Sequence, residues 1–232
     1  MSSLPVHAMS RLMKNWRGRA LDGPGTLRLL NEGGRQQPLL WILNAAADTH
    51  HLEAAFGLDQ PVIYGRSLHL LVSEGEDRLG PAQSVADHYT KTLAQHVSPG
   101  RIWLGSNCQG NEIVRAWLPR LAAAQFDVAG LCFVNNPVNA DATGRPALLI
   151  YGDQDDRHNP FAQDEPAATA RAQAAFSSYE RRMVAAGHGQ FFSPPVVFEI
   201  AEQMRAFWQA HPPTPDASQP AQIIPASPSR AL

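Results

Sequence analysis

The chain has 232 residues, 44% of them apolar and 17% charged, with a formal net charge of −2. This length suits one large domain with a sizeable core, and the weak charge without a long basic run argues against nucleic acid or an anionic membrane as main partner. The longest apolar runs, "PLLWIL" and "PALLIY", are strand-sized and too short to span a bilayer.

Residues 1–25 read as an irregular segment, with a short helix around 11–16. They contain no continuous apolar h-region, so no signal peptide is expected. The folded body is expected over 26–210. "TLRLLN" and "PLLWILN" predict the first two strands, with Gly33 and Gly34 in the turn between them, and "PVIYG" predicts another strand. In "SVADHYTKTLAQHV" the residues Val85, Tyr89, Leu93 and Val97 recur at helical spacing, with Ser84 placed as N-cap. "RIWLGS" is a strand. "QGNEIVRAWLPRLAAAQ" is a helix, expected to bend or break near Pro119. "VAGLCFVN" and "PALLIYG" are strands. "EPAATARAQAAFSSY" is a helix with Pro166 in its first turn. "ERRMVAAGHG" gives the last strand and its exit loop, and "PPVVFEIAEQMRAFWQA" a closing helix. Residues 211–232, rich in Pro, Ala and Ser, read as a disordered tail. Short continuous apolar strands separated by helices predict an α/β architecture: a mostly parallel sheet with helices on both faces. Such sheets gather their sites at the carboxyl ends of the strands.

Three chemically promising residues fall at those ends. Cys108 follows "RIWLGS" and opens a helix, in the pattern Ser106-Asn107-Cys108-Gln109-Gly110. A strand that turns sharply into a helix needs small residues two before and two after the exposed nucleophile, and Ser106 and Gly110 meet that need. The helix N-terminus is expected to lower the thiol pKa, and the Gln109 amide to face a developing oxyanion. His188 stands between two glycines after the last strand; His50, His51, His69, His88 and His96 lack such a setting. A carboxylate to orient the imidazole is available from Asp153, Asp155 or Asp156, and the spacing G-x-x-D selects Asp155. Cys132 lies mid-strand and reads as a packed small hydrophobe. Two cysteines without a signal peptide predict free thiols in a reducing compartment, the cytoplasm. No Cys/His spacing matches a zinc site, so neither metal nor bound cofactor is expected.

The order nucleophile, acid, histidine is that of the α/β-hydrolase triad. From about Leu27 to Trp208 the chain resembles the thioesterase domains of nonribosomal peptide and polyketide synthetases. The resemblance is carried by "GTLRLLNEGGRQQPLLWILNAAA", "FGLDQPVIYG", "SVADHYTKTLAQHVSPGRIWLGSNCQGN", "PALLIYGDQD" and "AAGHGQFF". It implies an α/β-hydrolase fold and an acyl or peptidyl substrate held as a thioester on the phosphopantetheine of a carrier protein. It further implies a Cys108–Asp155–His188 triad, with the Ala46 amide as second oxyanion donor. The sequence departs from the family at the elbow, where Ser106 and Asn111 stand in place of glycines, and elsewhere. Serine is replaced by Cys108; the family's His-Pro-Ala-Gly loop reads Asn44-Ala45-Ala46-Ala47; and "NPVNADATGR" leaves no room for a substantial lid insertion. A lid-less cysteine hydrolase of the dienelactone-hydrolase type and a non-catalytic binding module of the same fold are the alternatives.

Overall fold

The computed structural model describes residues 4–73, 76–138, 143–212 and 218–225. In chain order the elements are α1 Leu4–Met13, β1 Arg19–Ala20, β2 Leu27–Leu30, β3 Leu39–Leu43, α2 Leu52–Phe56, β4 Val62–Arg66, α3 Leu79–His96, β5 Gly100–Asn107, α4 Asn111–Ala123, β6 Phe126–Val134, β7 Pro146–Gly152, α5 Pro160–Gln163, α6 Glu165–Ala175, β8 Ser178–Val184 and α7 Val196–Ala210. They build one sheet in the order β1-β2-β4-β3-β5-β6-β7-β8. The pairs β1–β2 and β2–β4 are antiparallel, and every pair from β4 to β8 is parallel.

The central strands are apolar on both faces because both are covered. In β3, Leu40 and Ile42 enter one core, packed with Val85, Tyr89 and Leu93 of α3 and Ile113 and Trp117 of α4. Leu39, Trp41 and Leu43 enter the other, with Phe56 of α2 and Ile200, Met204 and Phe207 of α7. The result is the α/β architecture anticipated, with helices on both faces. The connection from β6 to β7 spans only residues 135–145, of which 139–142 lie outside the described ones.

Several boundaries differ from the sequence expectation. Helix α3 starts at Leu79, so Ser84 lies inside it and is not its N-cap. Gly80 and Pro81 look like breakers, but a first-turn amide has no intrahelical acceptor to lose. Helix α4 continues past Pro119 to Ala123 without interruption. The N-terminal helix is Leu4–Met13 and not 11–16; it fully buries Met9 and Met13.

The stretch read as a disordered tail also needs correction over 218–225. The register of β3 on β5 begins at Leu39 opposite Trp103, leaving the start of β5 uncovered on that side. Residues 219–221 fill the gap: the Arg101 amide donates to the Gln219 carbonyl at 2.8 Å, and the Ala221 amide to the Arg101 carbonyl at 3.0 Å. A bridge from Ile223 to Val97 continues the contact. Backbone pairing asks little of side chains, so a Pro- and Ala-rich composition does not reveal it. Residues 213–217 and 226–232 of that stretch lie outside the described ones.

Candidate active site

Strand β5 ends at Asn107, and the chain turns through a 3-10 segment, Cys108–Gly110, into α4. Cys108 takes φ +43°, the left-handed region that a residue with a Cβ occupies at a cost. Gly110 is required by close approach: a Cβ there would lie 2.7 Å from Ser106 Cβ and 2.9 Å from the Ile42 carbonyl oxygen. Ser106 is fully buried, and its Oγ accepts from Asn136 Nδ2 at 2.7 Å. The turn therefore presents Cys108 at the sheet edge, with its neighbours packed too tightly to admit larger side chains.

The expectation of a lowered thiol pKa is overturned. Burial pushes the Cys108 thiol up to about 11, assisted by the carboxylates of Asp48 and Asp155 and only partly opposed by a hydrogen bond from Asn135. The helix end does not outweigh desolvation and two nearby negative charges. Cys132 is fully buried in β6, also with a raised pKa from burial, and both cysteines are free thiols.

Asp155 follows β7 and His188 follows β8, which the parallel register places beside one another at the same edge. Of the three candidate acids, Asp155 is buried while Asp153 and Asp156 are exposed. His188 Nδ1 lies 3.3 Å from Asp155 Oδ2. Burial alone would raise the Asp155 carboxyl. Hydrogen bonds from His158 and Asn135 and the charges of His158 and His188 outweigh it and hold the group below the ordinary value of 3.8.

Four further residues belong to this constellation and were not singled out in the sequence. Asn135, at φ +53° just beyond β6, sets its Nδ2 2.9 Å from Asp155 Oδ2, 3.1 Å from His188 Nδ1 and 3.8 Å from Cys108 Sγ. His158 approaches the other carboxylate oxygen, with Nδ1 2.7 Å from Asp155 Oδ1. His69, set aside as lacking a functional setting, lines the cleft with Nδ1 3.3 Å from Gln109 Oε1. Asp48 Oδ2 accepts from the amides of Asn44 at 3.1 Å and Ala45 at 3.0 Å, and from Asn107 Nδ2 at 3.4 Å. An asparagine after a strand and a histidine in an acidic turn carry no sequence signal of their own, although the Asp48 spacing after "NAAA" could have suggested a local cap.

Asp155, His158 and His188 form a group of potential metal ligands within 4.8 Å of one another. The two imidazoles are stacked, with centroids 4.2 Å apart and planes inclined by 27°. Ring-plane lone pairs of stacked imidazoles run nearly side by side and do not converge on one ion. The arrangement fits hydrogen bonding to two oxygens of one carboxylate better than metal ligation.

Cys108 and His188 open into a cleft of about 980 Å³ that also borders Asp48, Arg78, Arg157 and Phe192. One wall of the cleft is lined by Asn44, Ala45, Ala47 and Asp48. Ala46, the residue assigned by the resemblance, is not part of that wall; it opens the 3-10 segment Ala46–Thr49 and packs partly buried against the core. Gln109 lines the cleft directly after Cys108.

No protein-family model and no curated protein matches the chain. Solved structures do resemble it. The NocB thioesterase domain from the nocardicin cluster superposes with a TM-score of 0.59 at 14% identity, over 78% of this chain and 97% of that one. The Vlm2 thioesterase domain gives 0.57 at 11% identity, over 81% and 100%. An esterase of Pyrobaculum calidifontis gives 0.52 at 11% identity, over 88% and 91%. At these identities the likeness shows the shared α/β-hydrolase fold. Among the described residues no helix is long and apolar enough to cross a membrane.

Proposed function

We propose that this chain is a thioesterase-like acyl hydrolase or acyltransferase in which Cys108 is the nucleophile, His188 the general base and acid, and Asp155 the orienting carboxylate. The observation that carries the reading is the strained backbone of Cys108 at the end of β5, at the same sheet edge as a hydrogen-bonded His188–Asp155 pair. Residues with a Cβ held at positive φ cluster at active sites, where the strain is part of the arrangement.

With a thiol pKa near 11, Cys108 is protonated at neutral pH, so the chemistry follows general-base attack in place of a preformed thiolate. His188 takes the thiol proton as Sγ bonds to the substrate carbonyl carbon. The oxyanion meets the Gln109 amide and an amide of the 45–47 loop. Collapse breaks the carbonyl–sulfur bond of the substrate, and the leaving thiolate takes the proton back from His188. Cys108 is left acylated as a thioester. Water, an amine or a hydroxyl then attacks that thioester, His188 removing its proton; collapse breaks the acyl–Sγ bond, Cys108 takes the proton back from His188, and the product is released.

The enzyme-bound acyl group is as activated as the thioester it came from, which suits transfer to an amine or ring closure better than an oxygen ester would. A substrate carried on the phosphopantetheine of an acyl- or peptidyl-carrier protein fits this chemistry, and the thioesterase domains among the similar structures favour it. The open cleft accommodates a large acyl chain. Incubation with an acyl-carrier thioester followed by intact-protein mass spectrometry tests the proposal. Wild type should gain the acyl mass and Cys108→Ala should not. Acylation of neither, or of both alike, removes Cys108 from the mechanism. Small soluble esters in place of the carrier separate this reading from a dienelactone-hydrolase-like one.

A further inference from the structure

Asp155 serves two imidazoles. Its Oδ1 is 2.7 Å from His158 Nδ1, and its Oδ2 is 3.3 Å from His188 Nδ1. His158 is bound to this carboxylate by local structure. Both belong to the turn Asp155–His158, in which the His158 amide also donates to the Asp155 carbonyl at 3.2 Å. Its ring then lies against His188 at 4.2 Å. His158 is exposed enough for its side chain to be replaced without opening the core.

We propose that His158 is a positioning residue for His188, acting through Asp155 and through the stacked ring. This rests on the acyl-transfer reading above. By holding Oδ1, His158 fixes the rotation of the carboxylate so that Oδ2 faces His188. The stacked face limits the swing of His188, which follows a glycine and precedes Gly189 at φ +82°. The other titratable and charged groups lining the cleft are Asp48, His69, Cys108 and Glu112, with the arginines 78, 115 and 157. None of these is part of the variants below.

The test compares wild type with His158→Gln, which keeps an N–H donor for Oδ1 without a charge, and His158→Phe, which keeps a stacking ring without a donor. Acylation by p-nitrophenyl acetate is followed from pH 5 to 9 by nitrophenolate release, with intact mass confirming Cys108 as the site. His158→Phe should acylate about tenfold more slowly at pH 8, the loss expected for one hydrogen bond to a charged group. His158→Gln, which restores a donor to Oδ1, should recover most of that rate. Both variants matching wild type in rate would overturn the proposal. If wild type is not acylated at all, the acyl-transfer reading fails instead. Ring-nitrogen NMR of His188 then decides the positioning role alone: its signals should move in His158→Phe and His158→Gln, which alter the stacked ring and the Asp155 contact, and identical spectra reject it.

Discussion

Asp48 turns its Oδ2 back onto the amide of Ala45, at 3.0 Å, so a carboxylate is built into the wall of the cleft that Cys108 also lines. Burial pushes this carboxyl above its ordinary value, while hydrogen bonds from Ala45, Asn44 and Asn107 oppose the shift. Its negative charge also raises the Cys108 thiol. Asp48→Asn keeps an acceptor for the loop amides and removes the charge. Alkylation of Cys108 by iodoacetamide at pH 8 should then be faster by roughly threefold, the equivalent of about half a pKa unit. The same variant should be at least as heat-stable as wild type at pH 7, because a carboxyl raised on folding costs stability once ionised. A slower alkylation would show that Asp48 matters here only as a loop cap.

The thiol itself should behave as a weak acid. With a pKa of about 11, the thiolate fraction of Cys108 rises about tenfold per pH unit through the neutral and mildly alkaline range. Iodoacetamide labelling measured by intact mass at pH 6, 7, 8 and 9 should follow that slope. Cys132, fully buried, should stay unlabelled in the native protein. Fast, pH-independent labelling at pH 6 would instead indicate a thiolate–imidazolium pair.

The elbow should cost the fold stability. Cys108→Gly removes the Cβ that disfavours φ +43°, a strain of about 1–2 kcal/mol. Its melting temperature should exceed that of wild type by roughly 2–4 °C for each kcal/mol relieved. Cys108→Ala keeps the Cβ and should gain nothing. Equal melting temperatures for the two variants would show that the turn is unstrained.

A second polar cluster, far from Cys108 in sequence, ties α3 to the segment between β1 and β2. Asp22 Oδ2 lies 2.7 Å from His88 Nε2 and accepts from Thr26 Oγ1 at 2.6 Å. Burial would raise the Asp22 carboxyl, but these bonds and the His88 charge lower it below 3.8. A depressed folded value means that the stabilisation is present above the ordinary pKa and fades as pH falls through the folded one. Asp22→Asn should therefore cost about 1–3 kcal/mol at pH 7. The gap from wild type should close below about pH 4, as urea titrations at the two pH values would reveal.

Much of this arrangement could be read from residue order. The span of β7 equals "PALLIYG", because a continuous apolar run bounded by Gly144 and Asp153 leaves little choice of register. The elbow, the buried Asp155 and the loop of His188 follow strands of the same kind. What escaped were features made by approach in space. His158 sits in a polar turn that looks solvated until it is seen bonded to Asp155. Asn135 acquires its place because β6 lies between β5 and β7, a fact of strand order. The direction of the Cys108 shift is not legible around the elbow, because burial and the charge of Asp48 depend on a loop 60 residues earlier.

Asn135 has a further consequence, which follows from counting hydrogens. An amide nitrogen carries two. Asn135 Nδ2 has three claimants within reach: the sulfur of Cys108, Oδ2 of Asp155 and Nδ1 of His188. One of them always goes unserved. When Nδ1 of His188 bears its own hydrogen, Asn135 can serve the carboxylate and the sulfur together. When Nδ1 is bare, it competes for a hydrogen and the sulfur is the weakest bidder. The tautomer of a single ring thus decides whether the Cys108 sulfur receives a hydrogen bond, and Asn135 is the residue through which that choice reaches it.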